Sequence, residues 1–350
     1  MLSLYLHIPF CARRCPYCDF AIALDDRFRD YAEALVREIR GKGKGQPVAT
    51  IHLGGGTPSR MPTDLLAGIL AAVRESFEVS GDAEVALEMN PEDLGRAVAW
   101  RTMGVNRLSM GAQSLEDGEL RLLGREHTAA QVAEAVREAR AAGFGNLSLD
   151  LMYGIPGQTR DAWERTLARA LSLSPEHVSV YALEGTRGLG LAGLPLEAAQ
   201  AEMAMDAMSR LEAAGFRQYE ISNFARPGFE SRHNLAYWTG KPYLGLGMSA
   251  HSFLPPRRFA NTSDLSEYLK REDPTAFEET LTPEQAVLER LFLGLRLAEG
   301  VDTGILKEGI GQDLEAEGLL AIEAGRVRLT PKGRVVADAV TGRLVLGVRE

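Results

Sequence analysis

Short apolar runs alternate with amphipathic helical patterns from residue 1 to about residue 185, and this alternation constrains the fold more than any other feature. Repeated strand-helix units build a parallel sheet, because each helix returns the chain to the start of the next strand. Six strands are predicted at residues 4–8, 50–53, 84–88, 107–110, 147–151 and 177–183. Six consecutive units predict an α/β fold, an open, incomplete (β/α)6 barrel, with its chemistry on the loops after the strands.

Apolar residues at a spacing of three or four predict helices between these strands. The stripes are Phe28, Tyr31, Leu35 and Ile39; Leu66, Ile69, Val73 and Phe77; Val132, Val136 and Ala139; and Trp163, Leu167 and Leu171. A further helix is predicted at 196–214. The last part of the chain is predicted to form helices at 286–297 and 313–320, a strand at 327–329 and a final helix beyond Pro331. We therefore expect a small, mainly helical, winged-helix-like module at 261–350 after a larger domain at 1–260.

The three cysteines of the chain fall within eight positions, as Cys11, Cys15 and Cys18, in the loop after the first predicted strand. An odd, tight cluster of cysteines indicates metal binding or redox chemistry rather than a disulfide framework. Three thiolates suit an iron-sulfur cluster and leave one iron without a cysteine ligand. The alternative is a zinc site, for which His7 is a candidate fourth ligand.

Charge and hydropathy exclude other classes of protein. With 39 Lys and Arg against 48 Asp and Glu, the net charge is -9, which argues against broad nucleic-acid binding. We find no stretch of about 20 apolar residues that could cross a membrane. The first residues form an apolar strand without a basic leader or a cleavage site, so we expect a cytoplasmic protein.

The residues around the cysteines resemble the cluster loop of radical S-adenosylmethionine (SAM) proteins, specifically the coproporphyrinogen oxidase-like branch. These residues are Tyr5, His7, Ile8, Pro9 and Phe10 before the cysteines, and Pro16 and Tyr17 between them. The resemblance covers nearly the whole chain. It implies a [4Fe-4S] cluster on Cys11, Cys15 and Cys18, and SAM on the open iron, where an electron from the cluster cleaves it to a 5′-deoxyadenosyl radical.

A glycine run, Gly54, Gly55 and Gly56, follows the second predicted strand, where backbone N-H groups can approach a charged ligand closely. The resemblance implies SAM contacts at Tyr5, Tyr17, Gly55, Gly56, Thr57, Glu88, Gln113, Arg125, Asp150 and Met152. Alternatives remain for two of them: Glu88 could be a solvated acid at a strand end, and Arg125 a surface ion-pairing residue. Asp150 lies inside an apolar strand and needs a partner, for which Arg125 or the SAM ribose is a candidate.

The branch contains anaerobic coproporphyrinogen III dehydrogenases and a group of heme chaperones. The dehydrogenases resemble C-x3-C-x2-C-x-C, but position 20 here is Phe20. They also carry an extension before the cluster strand, whereas here the strand begins almost at Met1. The segment from His233 to Trp238 resembles the H-N-x-x-Y-W region of the chaperones. These features favour a heme chaperone, with an oxygen-independent coproporphyrinogen III dehydrogenase as the alternative.

The resemblance makes heme a third cofactor and His233 a candidate ligand of its iron. A histidine beside Tyr and Trp is more often a hydrogen-bonded packing residue, and His251 is the other candidate ligand. Ser231, just before Arg232, stands where the chaperones often have a cysteine, so no thiolate is available there. The implied partners are heme-accepting apoproteins, membrane-associated respiratory proteins among them, and a second copy of the chain, but no nucleic acid.

Overall fold

The structure, a computed structural model, describes residues 1–183, 193–307, 309–345 and 348. In these residues six parallel strands follow one another across the centre of a large sheet. They are β1 (Leu2–Ile8), β2 (Pro47–Gly55), β3 (Glu78–Met89), β4 (Arg107–Gln113), β5 (Leu147–Tyr153) and β6 (His177–Ala182). Each pairs in parallel with the next. The α/β fold with six parallel strands in sequence order is therefore confirmed.

Helices connect the parallel strands and cover the outside of the sheet. They are α1 (Phe28–Lys42), α2 (Thr63–Ser76), α3 (Ala97–Thr102), α4 (Asp117–Leu122), α5 (Ala129–Ala141) and α6 (Arg160–Ser172). The predicted stripes face the core: Tyr31, Ile69, Val132 and Trp163 are completely buried. Phe77 lies just beyond the end of α2, and β3 begins at the next residue. A short 3-10 helix, Pro58–Arg60, follows the glycine run.

The sheet continues on both sides of the six parallel strands. After α7 (Glu197–Ala213) come β7 (Arg217–Gln218) and β8 (Asn223–Ala225), then α8 (Arg232–Trp238), β9 (Tyr243–Leu246), β10 (His251–Leu254), β11 (Arg257–Asn261), α9 (Leu265–Lys270) and β12 (Thr275–Thr280). The order of strands is β12-β11-β10-β9-β1-β2-β3-β4-β5-β6-β8-β7. Since β12 pairs with β11, the large sheet extends beyond the predicted domain boundary at residue 260.

The last part of the chain has its own core and a small sheet. Its elements are α10 (Pro283–Gly294), β13 (Val301–Asp302), α11 (Gln312–Ala316), β14 (Leu320–Glu323), β15 (Arg326–Leu329), α12 (Pro331–Val335) and α13 (Ala337–Val345). The predicted helix at 313–320 is wrong in its second half, because Leu320 begins a strand that pairs with β15. The helical and β-ribbon content agrees with the predicted winged-helix-like module, and the two-domain division itself stays a prediction.

Both main-chain and side-chain hydrogen bonds join this module to the barrel. The N-H of Ala298 donates to the carbonyl of Tyr219 at 3.0 Å, and Arg334 donates to Oε1 of Gln218 at 2.6 Å. Within the described ranges, no helix is both long and apolar enough to cross a membrane.

Candidate cluster and cofactor site

A cavity of about 620 Å³ opens at the C-terminal ends of the parallel strands, where chemistry collects in folds of this kind. It brings together side chains from the cysteine loop and from the ends of β2, β3, β4 and β5. Its lining includes these predicted residues: Cys11, Cys15, Tyr17, Cys18, Gly56, Thr57, Glu88, Gln113, Arg125, Asp150 and Met152. Tyr5, Gly55 and His233 are the predicted residues outside this lining.

The three cysteines are free and partly buried, on a loop whose ends are fixed by the backbone. The N-H of Cys11 donates to the carbonyl of Ala23 at 3.1 Å, and that of Cys18 to the carbonyl of Cys15 at 3.1 Å. Among the described residues, no three His, Cys, Asp or Glu side chains are placed to hold a single metal ion. Three separated thiols beside a large cavity suit an inorganic core larger than one zinc ion.

His7 has no free ring nitrogen to offer as a fourth metal ligand. Its Nε2 donates to the carbonyl of Ala21 at 2.8 Å, and its Nδ1 accepts from the Tyr5 hydroxyl at 3.1 Å. Burial lowers the pKa of His7, so the ring is neutral and both hydrogen bonds are satisfied. His7 therefore does not serve as the fourth ligand of a zinc site in this structure.

The glycine run makes close backbone approaches that a side chain would block. Gly55 has a φ of 112°, and a Cβ there would lie 2.6 Å from the His7 ring. A Cβ on Gly56 would lie 2.5 Å from the carbonyl of Pro9. Thr57, next in the chain, places its Oγ1 3.5 Å from Sγ of Cys11. The run thus presses β2 against the cysteine loop and joins the two halves of the candidate site.

Glu88 is held by two donors, so its carboxylate has a fixed orientation at the end of β3. Its Oε2 accepts from the N-H of Gly55 at 3.1 Å, and its Oε1 accepts from Nε2 of His52 at 2.9 Å. The side chain of Glu88 is 36% exposed, and it faces the cavity. A fixed carboxylate at this position can accept hydrogen bonds from hydroxyl or ammonium groups of a ligand.

Arg125 points its guanidinium into the site rather than forming a surface ion pair. Nη2 donates to Oδ1 of Asn90 and, at 3.1 Å, to the carbonyl of Gly111. Nη1 lies 3.8 Å from Sγ of Cys15. Nε is buried without a hydrogen-bond partner in the described part of the chain. A buried donor without a partner beside the cysteines fits an anionic ligand in this cavity.

Asp150 accepts hydrogen bonds from serine hydroxyls rather than from Arg125, one of its two candidate partners, and its contact with the SAM ribose stays a prediction. Ser109 donates at 3.2 Å and Ser148 at 3.4 Å to the Asp150 carboxylate. Burial raises the pKa of Asp150 to about 6, and the nearby Glu88 carboxylate adds to the effect. Gln113, across the cavity, has a φ of 62°, a left-handed backbone that is uncommon outside glycine and often marks functional sites.

A second cavity, of about 210 Å³, lies deeper in the barrel, towards the N-terminal ends of the parallel strands. Tyr5 and His233 line it, together with His52. Nδ1 of His233 is hydrogen-bonded to Thr50 at 2.8 Å and Nε2 to the Tyr237 hydroxyl at 2.9 Å. Burial, and then the neighbouring His52, lower the pKa of His233 well below its usual range. His233 therefore matches the packing alternative.

Phe20, His251 and Ser231, which also bear on the choice between dehydrogenase and chaperone, lie in three different environments. Phe20 is 64% exposed and lies on the rim of the first cavity. His251 is exposed on β10. Ser231 caps α8 by accepting from the N-H of Asn234. Sequence reasoning missed His52 and Asn90. The signal for Asn90 was its place two residues after Glu88, at the end of β3.

The chain matches two protein families. The radical SAM superfamily matches residues 5–170, and the HemN C-terminal domain matches residues 281–336. A solved structure of coproporphyrinogen III oxidase (HemN) from Escherichia coli, described as a radical SAM enzyme, has a TM-score of 0.87. It is 24% identical and covers 98% of this chain and 89% of its own. At that identity the likeness concerns the fold.

Curated relatives are more similar in sequence. The heme chaperone HemW of Bacillus subtilis (strain 168) is 36% identical over 373 residues, which cover 98% of this chain and 98% of the relative. The heme chaperone HemW of Synechocystis sp. is 38% identical over 323 residues, 85% of this chain and 78% of the relative. The cysteine loop, the glycine run and the full-length similarity thus agree: the chain belongs to the radical SAM superfamily and, within it, to the HemW family.

Proposed function

We propose that this protein is a heme chaperone that holds a [4Fe-4S] cluster and SAM and delivers heme to apoproteins. The observation that carries the proposal is the similarity to heme chaperones along 98% of both chains. Phe20 supports it, because a side chain that cannot ligate iron stands where the coproporphyrinogen dehydrogenase pattern has a fourth cysteine.

The first cavity is the proposed site of the cluster and SAM. Cys11, Cys15 and Cys18 hold the cluster through their thiolates, and the iron without a cysteine is left for SAM. When bound, the reduced cluster supplies the electron that cleaves SAM. The remaining residues bind and orient SAM: the glycine run and Thr57 at the methionyl end, Glu88 and Asp150 at the ribose, and Tyr17, Gln113, Arg125 and Met152 around it. The unpartnered Nε of Arg125 supports an anionic group of SAM beside Cys15.

For heme, the geometry favours His251 over His233 as a ligand. Both ring nitrogens of His233 are hydrogen-bonded inside the barrel, so heme would reach it only after those bonds break. The imidazole of His251 is exposed and needs no such rearrangement. We therefore assign His251 to the heme iron and leave His233 in the barrel.

Heme titration of the reconstituted protein tests this proposal. We expect a saturable change in the Soret absorbance, weakened in His251→Ala and retained in His233→Ala, because only the first imidazole is accessible. No saturable Soret change in the wild-type protein would refute heme binding. Loss of the signal in His233→Ala alone would move the ligand to the barrel interior.

The alternative is the dehydrogenase, and it is distinguished by its product. The protein, with SAM and a reductant, is incubated anaerobically with coproporphyrinogen III. We expect no protoporphyrinogen; its formation would replace the chaperone with an enzyme that oxidatively decarboxylates propionates.

The partners that we propose are apoproteins that accept heme, including membrane-associated respiratory proteins, and a second copy of the chain. The support for acceptors is the chaperone similarity alone. Chemical crosslinking of the heme-loaded protein to candidate apoproteins, and its mass in solution, test these assignments.

A further inference from the structure

The carboxylate of Glu88 accepts a hydrogen bond from the imidazole of His52, which lies on the neighbouring strand β2. Because a carboxylate accepts the bond, Nε2 of His52 carries the hydrogen that points to Oε1 of Glu88 at 2.9 Å. Nδ1 of His52 is buried and has no partner in the described part of the chain. The hydrogen bond to Glu88 is therefore what fixes the polar edge of this ring.

The His52 ring packs in a cluster with the rings of His233 and Tyr5, whose own centroids are 6.4 Å apart. The His233 ring lies parallel to it, with centroids 4.9 Å apart and planes at 20°. Tyr5, its register partner on β1, stacks with a centroid distance of 6.0 Å and the same angle. Rotation of the His52 ring would disturb its packing against His233 and Tyr5, and this packing together with the hydrogen bond keeps Nε2-H directed at Glu88.

His233 is the most firmly fixed member of this group. Besides the ring hydrogen bonds to Thr50 on β2 and to Tyr237 one turn along α8, its backbone N-H donates to Oε1 of Glu84 at 3.0 Å. Glu84 lies four residues before Glu88 on β3, so the two carboxylates share one face of the strand. The start of α8 is thus attached to the two strands that carry His52 and Glu88.

We propose that His52 and His233 are positioning residues of the cofactor site: His233 fixes the ring of His52, and His52 directs the Glu88 carboxylate towards SAM. The inference gives the His-Asn-x-x-Tyr-Trp segment a role in holding SAM that is separate from ligation of heme iron. It rests on the proposed function in one respect, since Glu88 is taken to bind SAM.

The test is SAM binding to the cluster-reconstituted protein, measured by calorimetry. Loss of a hydrogen bond to a charged group costs about tenfold or more in affinity, so we expect His52→Ala to bind SAM roughly tenfold more weakly. His52→Gln, whose amide can still donate to Glu88, should recover most of that affinity. His233→Ala should weaken SAM binding by about threefold, because it loosens the stack and leaves the hydrogen bond in place.

A double variant and a control separate positioning from loss of structure. The protein with both His52→Ala and His233→Ala should bind SAM no more weakly than His52→Ala alone, because His233 acts through His52. Ser231→Ala removes the N-cap of α8 and a 3.5 Å hydrogen bond to Glu84, and it leaves in place the His52 and His233 rings and the N-H of His233 that donates to Glu84. We expect this control to lower the melting temperature without changing SAM affinity. The change that SAM produces in the electron paramagnetic resonance spectrum of the reduced cluster provides a second readout.

Two outcomes would overturn the inference in different ways. If Glu88→Gln binds SAM as the wild-type protein does, the assignment of Glu88 fails and the positioning role fails with it. If Glu88→Gln loses affinity but His52→Ala does not, or if the two histidine substitutions add, the positioning role alone fails and the proposed SAM site stands.

Discussion

The Asp150 carboxyl lies in the wall between the two cavities and is hydrogen-bonded by hydroxyl groups rather than by a cation. Serine hydroxyls donate to it but do not neutralise its charge. Burial therefore dominates and raises the pKa to about 6, with the negative charge of Glu88 acting in the same direction. An ionised carboxylate has more acceptor sites than the two serine hydroxyls fill, so Asp150 can also accept from a ligand hydroxyl.

This pKa has a consequence for stability. The native carboxyl keeps its proton to a higher pH than the unfolded one, whose pKa is near 3.8, so the protein loses stability as pH rises from about 4 to about 6. A shift of two units amounts to at most about 3 kcal/mol. Asp150→Asn, which stays neutral, should match the wild type near pH 4 and melt higher at pH 7 without SAM. Equal melting temperatures at both pH values would contradict the pKa assignment.

At this scale the sequence predicted contiguous patterns and missed pairs that are distant along the chain. Cys11, Cys15 and Cys18 could be recognised because their spacing lies within one loop. His52 could not, since its partner Glu88 is 36 residues away and only the register of β2 and β3 brings them together. Arg125, one of two candidate partners of Asp150, is not among its observed partners, which include Ser109 on the adjacent strand β4 and Ser148 two residues earlier on β5.

Among the elements, α8 has an unusual attachment to the sheet. The backbone N-H groups of Arg232 and His233 donate to the Glu84 carboxylate, which is buried, and Arg107 approaches the same carboxylate at 3.9 Å. A carboxylate at a helix start satisfies N-H groups that lack partners within the helix, and it complements the helix dipole. Glu84 thus fastens the helix that carries His233 to the inside of the barrel.

Removing this carboxylate should be costly. Glu84→Ala leaves the buried Arg107 without its counter-charge, so we expect a loss of about 3 kcal/mol in the free energy of unfolding. The matched control is Asp82→Ala, which removes an exposed partner of Arg232 and should cost much less than Glu84→Ala. Urea denaturation of the three proteins measures both effects, and similar losses in the two variants would contradict the role of Glu84.

The elements show which patterns are informative in this sequence. The six parallel strands could be predicted because buried strands are continuous apolar runs separated by clear helical stripes. β8 and β9 were missed because strands of three and four residues carry too little periodicity. The predicted helix at 313–320 overran α11 and included Leu320, the first residue of β14, whose strand conformation is shown by its pairing with β15.

Across the whole molecule, the cofactor cavity lies at the C-terminal ends of the parallel strands, and the cluster of Tyr5, His52 and His233 lies below it inside the same barrel. Asp150 and Glu88 line both cavities, so the residues proposed to bind SAM are continuous with those that attach α8. The C-terminal module has a separate core, into which Ile221 from the barrel side packs. The two parts of the chain therefore share a boundary close to the strand end that leads into α8.

Transfer of heme to an acceptor tests the central claim most directly. The protein, reconstituted with cluster and SAM, is loaded with heme and mixed with apomyoglobin, and the Soret spectrum is followed over time. The account predicts that the spectrum changes to that of myoglobin, with the chaperone recovered free of heme. Failure to load with heme, or retention of heme in the presence of excess apomyoglobin, would contradict it.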